Sequence, residues 1–209
     1  MPTVSPNNTN NKMSMSKEEA KGRSKDCREI FQRITNRQIE ALMFHDKMSD
    51  MYNFLGLSGF KRMHECQYFS ESAEFKETKK YFMTNHNMLL EETDIQAKQY
   101  IPQDWFNYDK FDVSAQIKRQ YTEKTFEEYR NWERETKWSY ETAYQELMQL
   151  GAISDAEFVS CLICDVSHEL KCLEKIYIKL KATDFNMMYI FEIQHDIHEK
   201  YKKKMKHIK

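Results

Sequence analysis

Residues 161–172 read CLICDVSHELKC. Three cysteines and a histidine within twelve residues have the composition of a zinc knuckle, and the first two form C-x-x-C. A knuckle must fold back on itself, and this stretch has no Gly or Pro to turn it. Cys161, Cys164, His168 and Cys172 instead fall at i, i+3, i+7 and i+11, the spacing of one helix face. On a helix rising about 1.5 Å per residue, Cys161 and Cys172 stand roughly 16 Å apart, too far to share an ion. The stretch is therefore part of a long helix, and its cysteines are expected to be small core residues.

The same reading extends outward because helix breakers are scarce. The chain has only four glycines and three prolines. Gly56 and Gly59 flank LGLSGF, Pro102 lies in QYIPQDW and Gly151 in QLGAISDAEF. Between these breaks the periodicity is helical, and the alternation of a strand is almost absent. Helix one, about 27–55, carries Ile30, Ile34, Arg37, Ala41, Phe44, Met48, Met51 and Leu55 at alternating spacings of four and three. Helix two, about 60–90, carries Phe60, His64, Gln67, Glu71, Glu74, Thr78 and Phe82. Helix three, about 116–150, lines up Ile117, Tyr121, Thr125, Trp132, Ser139, Ala143 and Leu150. Helix four runs to about 181 and a shorter fifth helix spans about 185–207. Gly56 is expected to end helix one, Ser58 to cap helix two, and Ser154 or Asp155, supported by Glu157, to cap helix four.

Two tight hairpins joined by a polar connection of about 25 residues describe an all-α four-helix bundle with one long crossover between helices two and three. The expected organisation is a disordered arm at 1–25, the bundle at 26–181, and a C-terminal helix with a basic tail at 182–209.

Totals narrow the function. Lys+Arg number 32 against 33 Asp+Glu, a net charge of −1, which lacks the basic excess of a nucleic-acid binder. No apolar run approaches the length of a membrane span, and the N-terminal stretch lacks the apolar core of a signal peptide. Five cysteines, an odd number, fit a cytoplasmic chain with reduced thiols. There is no Gly-rich phosphate loop, no nucleophile elbow and no Cys-His pair placed for catalysis.

What needs explaining is charge on the inner stripes, because an unpaired buried charge is costly. Glu71 and Glu74 stand at i and i+3 in the middle of the helix-two stripe. Counted across the Gly56–Gly59 turn, they face the level of Glu40. In the second hairpin Asp165 and His168 form D-x-x-H, and counting across Gly151 sets them near Glu135. Glu40 and Glu135 each lie about seventeen residues from their turns, near mid-length. Six candidate metal ligands thus converge on the bundle centre: Glu40, Glu71, Glu74, Glu135, Asp165 and His168. Carboxylate with imidazole suits iron or manganese. Arg37, on the helix-one stripe, offers another account, in which it neutralises Glu71 or Glu74 in a metal-free ion-pair network.

The topology, KCLEKIYIKL after His168 and NRQIEAL around Glu40 resemble the ferritin-like di-iron carboxylate bundles, over about residues 30–181. In those proteins two helices each give a Glu and two give Glu-x-x-His. The resemblance implies single-carboxylate roles for Glu40 and Glu135, and paired roles for Glu71 with Glu74 and Asp165 with His168. It further implies a site that reacts reduced iron with oxygen or peroxide, serving iron oxidation, storage or an oxidase reaction, and an oligomeric state between monomer and cage. Here Glu74 stands where the pattern has histidine, and Asp165 where it has glutamate. The other class of function is a metal-free helical interaction or inhibitory module.

Two further features bear on partners. The aromatics Tyr100, Trp105, Phe106, Tyr108 and Phe111 lie in the crossover, where they pin it to the bundle or form a protein-binding patch. Helix five contains Glu192, His195 and His198 in E-x-x-H-x-x-H. Its apolar stripe, Tyr189, Ile190, Ile193, Ile197 and Tyr201, turns Glu192 and His195 outward, as solvent groups or an adventitious surface metal site, unless the helix packs on two sides as a contact helix. His64 is expected to be a hydrogen-bonded core histidine near Tyr52 or Asp50.

Overall fold

A computed structural model describes residues 17–93, 95 and 113–205. Five helices follow in order: α1 (Lys17–Phe54), α2 (Ser58–His86), α3 (Ala115–Gln149), α4 (Ile153–Ala182) and α5 (Met187–Met205). The helix α1 begins at Lys17, within the segment expected to be a loose arm. The crossover aromatics Tyr100, Trp105, Phe106, Tyr108 and Phe111 lie outside the described residues. Among those residues no strand occurs, and no helix is long and apolar enough to cross a membrane.

The two hairpin turns are built alike. Gly56 (φ +71°) ends α1 in the left-handed region, with Gly56 N–H donating to Asn53 O and Leu57 N–H to Tyr52 O. Gly151 (φ +64°) repeats this after α3, with its own N–H on Met148 O and Ala152 N–H on Leu147 O. The six-to-one bond closes a Schellman turn, which a residue with a Cβ enters only at a cost. Leu57 and Ala152, next in line, are buried and start the returning helices. Neither Ser58 nor Ser154 caps its helix, because the chain leaves each turn already folded into the next one. Asp155 lies buried in the first turn of α4, drawn to Tyr81 and His86 instead of to its own backbone.

α1 packs along α2, α3 along α4, and α1 along α3, while α5 lies chiefly against α2. The last contact is close: Gly59 N–H donates to Gln194 Oε1 at 2.9 Å. Ile190 and Ile197 of α5 join the same core as residues of the four bundle helices.

The apolar core is not continuous along the bundle. One cluster takes Ala41–Tyr52 of α1, Leu55 and Leu57 of the turn, Phe60 and Met63 of α2, Tyr121–Trp132 of α3 and Leu173–Leu180 of α4. The other takes Cys27–Ile34 of α1, Phe82 of α2, Tyr140–Leu147 of α3 and Ala156–Val166 of α4. Every bundle helix therefore leaves the apolar core over one stretch between the two clusters, and the polar residues described next fill that belt.

The cysteine stripe of α4 is not core. Cys161 and Cys164 are exposed and Cys172 is half-buried; the buried thiols are Cys27 and Cys66. The face of α4 that turns inward is Leu162, Val166, Leu173, Tyr177 and Leu180, whose larger apolar area outweighs that of the thiols. All five cysteines are free.

Candidate metal centre

The belt between the clusters is acidic. Glu71 and Glu74 reach it from α2, Glu133 from α3 and Glu169 from α4, with Arg37 and Gln38 from α1. Burial holds the Glu71 carboxyl well above the usual carboxylate range, and the charges of Glu74, Glu169 and Glu133 push it further while Arg37 opposes them. Glu133, only 3% exposed, is raised for the same reasons, with burial first and Glu169 next. Burial lifts Glu74 to about 7, against the hydrogen bond it accepts from Gln38. That bond, Gln38 Nε2 to Glu74 Oε1, is 2.9 Å long, and Tyr140 Oη donates to the same oxygen at 3.4 Å. Gln38 also donates to Thr78 Oγ1 at 3.0 Å, tying α1 to α2 at this height.

Arg37 supplies the positive charge. Its Nε donates to Thr136 Oγ1 and its Nη2 to the Trp132 carbonyl, both at 2.9 Å. Its Nη1 lies 3.5 Å from Glu40 Oε2 and its Nη2 3.7 Å from Glu135 Oε2. The guanidinium that opposes the charges of Glu71 and Glu133 thus also serves two outer acids, and repulsion among the belt acids disfavours their ionising together.

The five acids and one imidazole expected from the sequence divide into three groups. Glu71 and Glu74 lie inside the belt. Glu40 is mostly buried but turned onto Arg37. Glu135 is 63% exposed, and the buried acid of α3 is Glu133, two residues earlier. Asp165 and His168 are exposed, and the inward acid of α4 is Glu169, one residue on from His168. Asp165 and His168 still border the site: with Glu74, Glu77, Cys161 and Glu169 they line a groove of about 440 Å³ between α2 and α4.

Both missed acids lay on readable stripes. Phe126, Tyr129, Glu133, Thr136, Tyr140 and Ala143 alternate spacings of three and four, as do Leu162, Val166, Glu169, Leu173, Ile176 and Leu180. Following the cysteines on α4 set the reading one residue, about 100°, off the inward face.

The donors are oxygen only, a set suited to a hard or borderline cation. Among the described residues, no three of these carboxylates bring ligand atoms within 4.8 Å of one another. A cation would have to draw them together against a repulsion it would itself cancel. The buried imidazoles lie elsewhere: His45 Nδ1 and His64 Nδ1 are 2.9 Å apart, packed between Tyr52, Phe44 and Tyr129. Burial depresses both, His45 to about 3. His64 is thus the hydrogen-bonded core residue that was expected. On α5, Glu192 and His195 are exposed.

No family model matches the chain, and no curated protein matches it in sequence. Solved structures do match. The open-pore ferritin of the archaeon Archaeoglobus fulgidus superposes with a TM-score of 0.68 at 13% identity, covering 88% of this chain and 98% of that one. A closed form of the same ferritin, engineered by site-directed mutagenesis, gives 0.67 at 14%, covering 88% and 97%. A humanized archaeal ferritin gives 0.68 at 14%, covering 88% and 98%. The chain has the ferritin-like fold: four bundle helices, one long crossover and a fifth helix at the C-terminus.

Proposed function

We propose that this chain is a ferritin-like iron-binding protein whose metal is held at mid-height by Glu71, Glu74, Glu133 and Glu169. The observation that carries the reading is the acidic belt itself. Carboxyl groups from α2, α3 and α4 occupy the level at which every bundle helix interrupts its apolar core, and burial with mutual repulsion holds Glu71 and Glu133 well above the usual carboxylate range. The donor set does not choose between iron and manganese; the ferritin likeness favours iron. Bound iron would supply one-electron chemistry toward oxygen or peroxide. The side chains would bind and neutralise it, Gln38 and Tyr140 would orient Glu74, and Asp165 and His168 at the rim of the groove would gather cations from solvent. Arg37 stands on the helix where di-iron bundles place a carboxylate, which leaves charge for one tightly held ion. A second ion, the di-iron arrangement, requires Glu40 to leave Arg37 and turn inward. Second copies of this chain are the expected partners, as a homo-oligomer.

Arg37 also favours a second reading, a metal-free bundle whose acids are balanced by that guanidinium and by retained protons, acting as an interaction module. Metal analysis of untagged protein loaded with iron(II) without oxygen separates the two. Stoichiometric iron, lost in Glu71→Gln and Glu133→Gln and kept in His195→Ala, supports the iron site. No retained iron in a folded wild-type chain supports the second reading.

A further inference from the structure

Away from the acidic belt, in the cluster that holds Phe31 and Phe82, three other side chains converge. Cys27 of α1, His86 of α2 and Asp155 of α4 each offer one ligand atom, and the three atoms lie within 4.8 Å of one another. Cys27 and Asp155 are buried and the His86 side chain is 11% exposed. His86 Nε2 is 3.0 Å from Asp155 Oδ1, and Tyr81 Oη donates to the same oxygen at 3.1 Å. On the other side of the ring, His86 Nδ1 lies 3.4 Å from Ser24 Oγ. The imidazole stacks on Phe82, with ring centroids 4.5 Å apart, so its plane is fixed.

A nucleophile reading fails on this geometry. Both imidazole nitrogens face oxygen partners, and the sulfur has no exposed surface. Burial and the neighbouring Asp155 push the thiol up to about 12, away from thiolate, although Arg23 opposes them. A dication would reverse that balance, because thiolate and carboxylate would then both face positive charge. Thiolate sulfur, imidazole nitrogen and carboxylate oxygen from three separate helices are a donor set that zinc accepts, with three protein ligands and one open position. The outer contacts fit as well. Ser24 on Nδ1 leaves Nε2 for the metal, and Tyr81 orients the carboxylate, as partners behind zinc ligands do.

We propose that Cys27, His86 and Asp155 form a zinc site separate from the mid-height acids, clamping the early part of α1 to the end of α2 and the start of α4. Binding forms the zinc–sulfur bond as the Cys27 S–H bond breaks, and the proton passes to solvent, so one proton leaves for each ion bound. The fourth position is taken by water.

The full-length, metal-free protein titrated with cobalt(II) as a spectroscopic probe tests this. The expected result is thiolate-to-cobalt charge-transfer absorption that zinc abolishes by displacement. The absorption is lost in Cys27→Ser and retained in Glu71→Gln and in a Cys161→Ser/Cys164→Ser/Cys172→Ser variant. Tyr81→Phe weakens binding about tenfold, the lower end of what losing such an outer partner costs. Native mass spectrometry needs no variant: wild-type protein whose surface cysteines have been alkylated retains one zinc per chain. Absence of the charge-transfer band in wild type, its persistence in Cys27→Ser, or loss of zinc after surface alkylation would each overturn the proposal.

Discussion

The guanidinium carbon of Arg37 lies 3.4 Å from the centroid of the Trp132 ring, while the same group hydrogen-bonds the Trp132 carbonyl and the Thr136 hydroxyl. The contact joins α1 to α3 at the level of the acids. The flat guanidinium stacks and donates in one plane at once, which a lysine ammonium does not.

Arg37→Met should therefore be costly, because it removes the cation that opposes the charges of Glu71 and Glu133. Removing one partner of a buried charged set typically costs 3–5 kcal/mol, and about that much is expected in urea unfolding of the metal-free protein near pH 8. The loss should shrink toward about pH 5, where the acids are protonated. A variant as stable as wild type at both pH values would show that the acids do not depend on Arg37.

The pH dependence of metal-free stability should have two opposed limbs. Glu74 rises from 4.5 to about 7, and Glu71 and Glu133 rise well above 4.5, so the fold holds protons that the unfolded chain releases. The contribution of Glu74 is full below about pH 4.5 and is lost as pH rises through about 7, and those of Glu71 and Glu133 are lost in the same direction. His45, lowered to about 3, and His64 stay neutral in the fold. The unfolded chain takes up their protons below about pH 6.5, so both contributions decline as pH falls from there, that of His45 toward about 3. Denaturant titrations across this range should show Glu74→Gln flattening the alkaline limb and His45→Gln the acid limb. Unchanged slopes would contradict the assignment.

Gly59→Ala should loosen α5. A Cβ at Gly59 would stand 1.8 Å from the Gln194 carbonyl oxygen and 2.6 Å from its carbon, and backbone cannot swing aside as a side chain can. Overpacking of this kind costs about 1–3 kcal/mol, or roughly 2–12 °C in Tm for a chain of this size. Hydrogen exchange should rise first in Met187–Met205. An unaltered Tm would mean that the two helices part freely.

The architecture was legible because the sequence punctuates it sparsely. Gly56 and Gly151 mark two tight bundle turns, and the stripe from Ile30 to Leu55 lies inside as its spacing requires. On α2 the charged positions were legible too, since Glu71 and Glu74 sit on a stripe with Phe60 and Phe82 at its ends. The second hairpin was harder. On α4 the sulfur-bearing line and the aliphatic line run one residue apart, and burial follows aliphatic area, which moves the inward acid from Asp165 to Glu169. On α3 Glu133 adjoins Trp132 and reads as its polar neighbour until the partner helix is in place. The convergence of Cys27, His86 and Asp155 joins positions 59 and 69 residues apart and follows no periodicity within one helix, so nothing local announces it.

The interruption of the apolar core has a consequence for alignment. Identical greasy layers would let long helices slide past one another by a heptad with little penalty. Here a slide of that size on any one helix would leave its acid facing hydrocarbon and strand Arg37 or Gln38 without a partner. The charged waist thus works as a vernier, fixing how far each rod stands along the others whether or not an ion is held there.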